Sequence, residues 1–445
     1  MQRKHRDNFT FLTQAPVPRV VMTMSVSTII SMLVTSLYNL ADTFFVGQIN
    51  TQATAAVGIV FSVMFVMQAF GFFFGHGSGN YISRELGAQR HHNAEAMAAT
   101  GFLLSLGFGL AAMVVCLLFL RPLSVALGST PTILPYTERY LGIVLLGAPM
   151  FTSSLTLNNQ LRFQGNAAYA MIGIVTGAVL NVALDALFIM VLGWGIAGAA
   201  WATVAGQAVS FSILLAMTHR GGNLRIKPSR FRLSREFIKE ILGGGTPSLM
   251  RQGLGSISSI MLNVAAAAFG DAAVAAMAIV NRVVMMVMSV IIGIGQGYQP
   301  LCGFSYGAKL YDRVKQGFWF CVRIGTAFLA VCAVLGWVWA GPVVGVFRDD
   351  PEVIAIGTRA LRWQVISLPL MATYMYANMM LQTIGMSLRA NVLAASRRGI
   401  FFIPAILTLP HLLGLTGVIA TQMVADLCSV ALCIPILHGS LRQMR

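Results

Sequence analysis

The chain has 445 residues, 57% of them apolar and only 10% charged, with a mean hydropathy of +0.76. Soluble globular chains are about 45–50% apolar and about 25% charged, so there is too little charge here to coat a water-facing surface, and a soluble enzyme is excluded. The formal balance of +16 does not point to nucleic acid, because the basic residues sit in the gaps between long apolar runs, the pattern of an all-α integral membrane protein.

The N-terminal MQRKHRDNFTF is basic, and the apolar stretch behind it is long enough to span and stay, so no cleaved leader is expected. A helix crosses hydrocarbon with about 20 residues. Twelve stretches reach that length, near 19–41, 53–80, 96–120, 138–161, 167–192, 195–218, 241–268, 272–300, 316–346, 355–386, 394–413 and 415–438. Alternate connections carry unequal positive charge. The N-terminus, 84–90, Arg162, 219–239, 309–315, 389–398 and the C-terminal Arg442 and Arg445 form the basic set, whereas 45–52, 193–195 and 269–272 carry almost none. Arg121, Arg139 and Arg348 are exceptions. The positive-inside rule then predicts both termini on the cytoplasmic side. The densest loop, with Arg220, Arg225, Lys227, Arg230, Arg232, Arg235 and Lys239, is expected to touch anionic lipid headgroups. The cysteines at 116, 302, 321, 332, 428 and 433 read as free thiols in or beside apolar runs.

Shifting the sequence by 220 residues brings its halves into register. Gly75 meets Gly295, Gly77 meets Gly297, Gly87-Ala88 meets Gly307-Ala308, Pro149 meets Pro369, Asn158 meets Asn378 and Gly165 meets Gly385. With one residue removed, Gly195 and Gly198 meet Gly414 and Gly417. Each half holds six crossings, an even number, so both halves enter the membrane the same way. The expected architecture is two parallel-repeat six-helix bundles about a pseudo-twofold along the membrane normal: an N-terminal lobe over 1–218, a basic linker over 219–239 and a C-terminal lobe over 240–445. Two lobes facing each other across such an axis enclose a cleft that rocking opens to alternate sides.

Three acids lie well inside apolar runs: Asp42, Asp185 and Asp426. An ionisable group at the bilayer centre costs about 2.5–3.5 kcal/mol on insertion scales, so such groups mark functional sites or buried partners. Asn39 and Asp42 are three residues apart and share a helical face, with Tyr38 four before Asp42. Asn181 lies one turn before Asp185, and Thr203 sits at a matching depth in the sixth span. Tyr140 and Asn158 are the polar residues of the fourth span, with helix-packing hydrogen bonds as their plainer role. The repeat is an internal control: Asp42 falls on Leu262, and Asp185 on Pro404 or Ala405. The carboxylates are therefore a property of the first lobe and not of the shared scaffold. A carboxyl group taken out of water favours its protonated form, and the oxygens of Asn181, Asp185 and Thr203 suit a sodium ion equally well; both couplings stay open. On the other side of the cleft the candidates are Asp426, Arg282, Met286 and the helical-face pair Met375 and Met379, methionine being suited to surfaces that accept many shapes. Asp426 reads equally as a buried hydrogen bond, and the methionines as lipid-facing or ordinary core residues. Arg251 and Arg323 also interrupt apolar stretches.

Taken together, Tyr38-Asn39-Leu40-Ala41-Asp42-Thr43-Phe44-Phe45-Val46-Gly47, Arg162-Phe163-Gln164-Gly165-Asn166, Asn181-Val182-Ala183-Leu184-Asp185, Gly195-Ile196-Ala197-Gly198-Ala199-Ala200 and Gly295-Gln296-Gly297-Tyr298-Gln299-Pro300 resemble the multidrug and toxic compound extrusion (MATE) family over nearly the whole chain, and within it the prokaryotic branch related to DinF and MepA. The resemblance implies a transporter of the bacterial inner membrane, not an enzyme. It would export amphipathic, often cationic compounds in exchange for protons or sodium ions. Asp42, Asp185, Asn181, Thr203, Tyr38, Asn39, Tyr140 and Asn158 would be its cation-coupling network. The implied partners are small amphipathic molecules and membrane lipids, with no nucleic acid, no cofactor beyond the coupling ion, and a monomeric state. One departure is Ser27, where many relatives carry a proline that the second half keeps as Pro247. The rival readings are a flippase for lipid-linked substrates, which shares the wider fold, and an intramembrane aspartyl protease with an Asp42–Asp185 dyad. The protease lacks the glycine-flanked aspartate motif and has no use for the duplication. A passive channel leaves the one-lobe acids without purpose.

Overall fold

The structure is a computed structural model that describes residues 2–444, apart from the side chains of 2–7, 39 and 40. The described residues are helical almost throughout. A short α1 (Gln2–Gln14) precedes α2 (Val17–Gly47), α3 (Thr51–Gly87), α4 (His91–Leu118) and the short α5 (Leu120–Ala126). The fourth crossing is α6 (Leu134–Val144) continued by α7 (Ala148–Phe163); α8 (Ala167–Asp185) and α9 (Gly195–Thr218) follow. The second half repeats the order with α10 (Arg235–Ala267), α11 (Asp271–Gly307), α12 (Tyr311–Val338), short α13 (Ala340–Phe347), the pair α14 (Pro351–Ser367) and α15 (Met371–Thr383), the pair α16 (Ser387–Ala395) and α17 (Phe402–Leu413), and α18 (Leu415–Gln443). Among the described residues, ten of these crossings are long and apolar enough to span by themselves. The other two, α10 and the α14–α15 pair, complete twelve and are more polar, carrying Arg251 and Arg359 with Arg362 respectively.

Apolar residues face outward as well as inward. Val114, Val115 and Leu118 on α4 are 50–75% exposed, and their counterparts 220 residues on, Val334, Leu335 and Val338, are 44–62% exposed. In water such rows would be aggregation sites, and in hydrocarbon they are simply solvated. The chain is a multi-pass membrane protein.

Two compact units divide the chain: residues 1–14 with 30–245, and residues 15–29 with 246–445. The boundary therefore falls inside α2 and inside α10. In unit 2 the first part of α2 lies along α11, where Thr28 Oγ1 is 2.7 Å from the Gly293 carbonyl and a Cβ on Gly297 would meet the Ser25 backbone nitrogen at 2.6 Å. In unit 1 the first turns of α10 lie along α3: a Cβ on Gly77 would sit 2.5 Å from the Ile241 carbonyl oxygen. Arg84 pairs with Glu240 at 2.5 Å. Gly77 and Gly297 are repeat counterparts, so the glycine-rich ends of α3 and α11 share one cause. Small residues let two helix backbones approach where any side chain would intrude. Pro247 sits inside α10 just beyond the boundary, and α2 passes the matching Ser27 without a break.

Both halves also turn alike. Gly165 (φ 90°) and Gly385 (φ 86°) end α7 and α15 in the left-handed region that glycine enters without a Cβ penalty. The basic stretch 219–234 is mostly irregular, with one 3-10 turn at Pro228–Arg230, and it is held on unit 1 by Leu224 N donating to Gln164 Oε1 (2.8 Å) and Arg232 N donating to Thr100 Oγ1 (3.0 Å).

Candidate functional site

In unit 1 the acids converge. Asn181 and Asp185 are four residues apart on α8, hence on one face, and both are buried. Asp185 is the last residue of regular α-helix, and the next turn, Ala186–Val191, widens to π-helix, a distortion often found at functional sites. Asp42 comes from α2, five residues before that helix ends at Gly47, and its carboxyl group lies within hydrogen-bond reach of Asp185. Thr203 enters from α9. Its hydroxyl donates to the Ala199 carbonyl at 3.1 Å and accepts from Asn181 Nδ2 at 3.3 Å, and the Tyr38 and Tyr140 hydroxyls are also within hydrogen-bond reach of it. A hydroxyl oxygen has two lone pairs. Three donors compete for them, so the Thr203 hydroxyl is saturated as an acceptor.

The arrangement is short of donors elsewhere. Asp42 Oδ1, both carboxylate oxygens of Asp185 and Asn181 Oδ1 are buried acceptors with no hydrogen-bond donor among the described residues. Two carboxylates in contact with orphaned oxygens repel one another, and a proton or a cation between them turns repulsion into attraction. The donor set is entirely oxygen, which fits a proton or a hard cation such as sodium. Asn39 lies outside the described residues.

Asn158 does not join this cluster. Its Nδ2 donates to the Ala170 carbonyl at 2.9 Å, eleven residues along α8 from Asn181, or about 16 Å at 1.5 Å per residue. Its counterpart Asn378 donates in the same way to Ala390 at 2.7 Å. A bond made identically in both halves belongs to the scaffold, so Asn158 is corrected from the coupling set to helix packing.

In unit 2, Met375 and Met379 are 7% and 3% exposed. A Cβ on Gly295 would meet Met379 Sδ at 2.3 Å. They are core residues, filling the space that the glycine leaves, and not a ligand-accepting stripe. Arg282 and Met286 lie one turn apart on an exposed face of α11, with Met286 50% exposed. Asp426 is 2% exposed and fully engaged: Arg397 Nε donates to it at 2.7 Å, Gln422 Nε2 at 2.6 Å and Ser367 Oγ at 3.1 Å.

Three further basic residues are misplaced by the loop pattern. Arg162 is 2% exposed, inside unit 1, donating to Asn159 Oδ1 at 2.5 Å with the Phe163 ring 5.3 Å away. Arg397 and Arg398 fall where the basic connection 389–398 overlaps the apolar stretch 394–413; the eleventh crossing starts at Ser387 and carries both about ten residues in, on a π-helical turn (Ser396–Ile400). The signal available was Asp426 itself, an acid in an apolar run that needs a cationic partner at its own depth.

The MatE family model matches residues 27–187 and 247–407, two stretches whose bounds are 220 residues apart, as the repeat is. A "Multidrug export protein MepA" of Staphylococcus haemolyticus is 26% identical over 421 residues, covering 94% of this chain and 92% of that protein. The fold superposes on solved MATE structures in the straight and in the bent conformation, each with a TM-score of 0.92, 25% identity and 98% of both chains covered.

Proposed function

Because the chain belongs to the MatE family of membrane transporters, we propose that it exports multiple small amphipathic compounds by antiport against protons or sodium ions, with the coupling ion held in unit 1 by Asp42 and Asp185. The observation that carries this reading is the pair of touching carboxyl groups with orphaned oxygens, in a place where the second half has Leu262 and Pro404 or Ala405. An ion bound there lowers the local cost of two buried acids, and its departure restores that cost. Binding free energy of this kind biases a two-state equilibrium only as far as the ion prefers one state. Asp185 is sealed at 0% exposure while Asp42 is partly exposed, so Asp42 is the group through which the ion is exchanged and Asp185 the one that retains it. Asn181, Thr203, Tyr38 and Tyr140 orient the pair. Alternate opening of a cleft to the two sides of the membrane then converts ion entry into substrate exit.

The test is ethidium efflux from intact cells under imposed proton and sodium gradients, comparing wild type with Asp42→Asn and Asp185→Asn. Both substitutions keep shape and remove the titratable charge, and at least a tenfold loss of gradient-driven efflux is expected. Unchanged efflux in both variants would remove the coupling role from this pair.

A further inference from the structure

The cluster in unit 2 around Arg251, Arg397 and Arg398 is not accounted for by the coupling mechanism. Asp426 neutralises Arg397 and no other arginine. Arg251 is held by neutral acceptors, the Asn378 and Gln382 side-chain oxygens and Ser248 Oγ (2.9 Å). Arg398 donates to Ser258 Oγ at 3.3 Å. Among the described residues, neither has a carboxylate within ion-pairing distance. Three guanidinium groups against one carboxylate leave two positive charges within a membrane-spanning bundle. Neutral dipoles orient such charges without cancelling them, and charge taken from water is tolerated only when it is paired.

The location gives the excess charge a meaning. Ser258 is the repeat counterpart of Tyr38, Leu262 that of Asp42 and, past the one-residue gap, Gln422 that of Thr203. Through Ser258, Arg398 reaches the layer of unit 2 that matches the carboxylates of unit 1, whereas Arg251 lies at the depth of Asn378, with Ser31 as its counterpart in the first half. Arg251 and Ser258 are seven residues apart on α10, two turns along one face and about 10 Å along the axis. Leu254 lies between them on that face and touches Gly399 beside Arg398. Arg251 and Arg398 are both partly buried and keep some exposed surface, and a buried donor without a partner, Gln364 Nε2, stands one turn before the Ser367 that binds Asp426. Guanidinium groups offer forked donors matched to carboxylate, sulfonate and phosphate oxygens, and Leu254 between them suits an apolar body.

We propose that unit 2 carries an anion-binding site, formed by Arg251 and Arg398, which takes the acidic group of an amphipathic molecule. As a statement about cargo it rests on the export reading above; as a statement about binding it does not.

Equilibrium dialysis of the full-length protein in dodecyl maltoside tests it, with labelled taurocholate, lysophosphatidic acid, inorganic phosphate and tetraphenylphosphonium as separate probes. Saturable binding of taurocholate or lysophosphatidic acid is expected, weakening with added sodium chloride. Arg251→Gln and Arg398→Gln should each weaken it at least tenfold, while the corresponding lysine variants retain most of it. Tetraphenylphosphonium binding should be unchanged in all four, which also reports that they are folded. Taurocholate alone would assign the site to soluble organic anions, and lysophosphatidic acid alone to a lipid headgroup. Absence of saturable binding of either amphiphile by wild type, salt-insensitive binding, or full binding in both glutamine variants would overturn the site. Asp42→Asn separates the two readings: it should lower gradient-driven efflux at least tenfold and leave anion binding intact.

Discussion

The two units share one helix order and one set of turns, yet where unit 1 has Asp42 and Asp185 unit 2 has Leu262 and Pro404 or Ala405, and where unit 2 has Arg251 and Arg398 unit 1 has Ser31 and Ala178 or Val179. Asp42 and Asp185 stand without a cationic partner in the first, whereas Arg251 and Arg398 stand without an anionic one in the second. The scaffold residues are the ones that agree: Asn158 with Asn378, Gly77 with Gly297, Gly165 with Gly385. Duplication thus separates two kinds of polar residue that look alike in a single helix. What both copies keep belongs to packing, and what one copy changes belongs to the task of that copy.

The largest effect that sharpens this contrast is on Asp426, the acid that unit 2 spends on structure. Asp426→Asn leaves Arg397 buried without its charge partner, and removing one member of a buried pair costs about 3–5 kcal/mol. Thermal unfolding of the purified protein should show a marked fall in Tm, whereas Asp185→Asn, which relieves two clashing acids, should not lower it. Replacing Arg397 and Asp426 together by methionine should restore part of the loss. A double variant no better than Asp426→Asn would break the assignment. Smaller, and expected to be similar in both units, is the cost of Gly77→Ala or Gly297→Ala, about 1–3 kcal/mol for overpacking, since each new methyl group meets backbone atoms closer than 3 Å. Gly253→Ala, with open space around its Cβ, should instead gain a few tenths to about 1 kcal/mol through helix propensity. The smallest effect tests the shared asparagines. Asn158→Ala and Asn378→Ala should each cost about 1 kcal/mol in Tm measurements and leave gradient-driven efflux within twofold. A loss of coupling in Asn158→Ala alone would return that residue to the ion site.

Several of these distinctions were already legible in the residues. Asn181 and Asp185 at four apart, Tyr38 and Asp42 at four apart, and Thr203 at equal depth are consequences of helix geometry and of the cost of an acid in hydrocarbon. Asn158 was readable too, because Asn378 stands at its counterpart and the control that separates the acids separates it as well. Other features depend on tertiary context. A helical stripe of methionines has the same periodicity whether it faces a cleft or a core, and only the packing of Met379 over Gly295 distinguishes the two for Met375 and Met379. The positive-inside pattern weighs charge and not depth, so it assigns Arg397 and Arg398 to the connection 389–398 as readily as to the stretch 394–413. The boundary inside α2 and α10 has no mark in composition beyond the small residues flanking it.

That boundary has a consequence for how such a chain came to be. Residues 15–29 pack with the second unit and residues 235–245 with the first, a reciprocal trade of arms between halves of common descent. Two separate copies of a six-helix ancestor exchanging their leading segments would make the same trade as a domain-swapped pair, and fusion of the two genes would then preserve it in a single polypeptide. Cutting the chain within 219–234 should accordingly give fragments that require co-expression, each lacking the arm that the other holds.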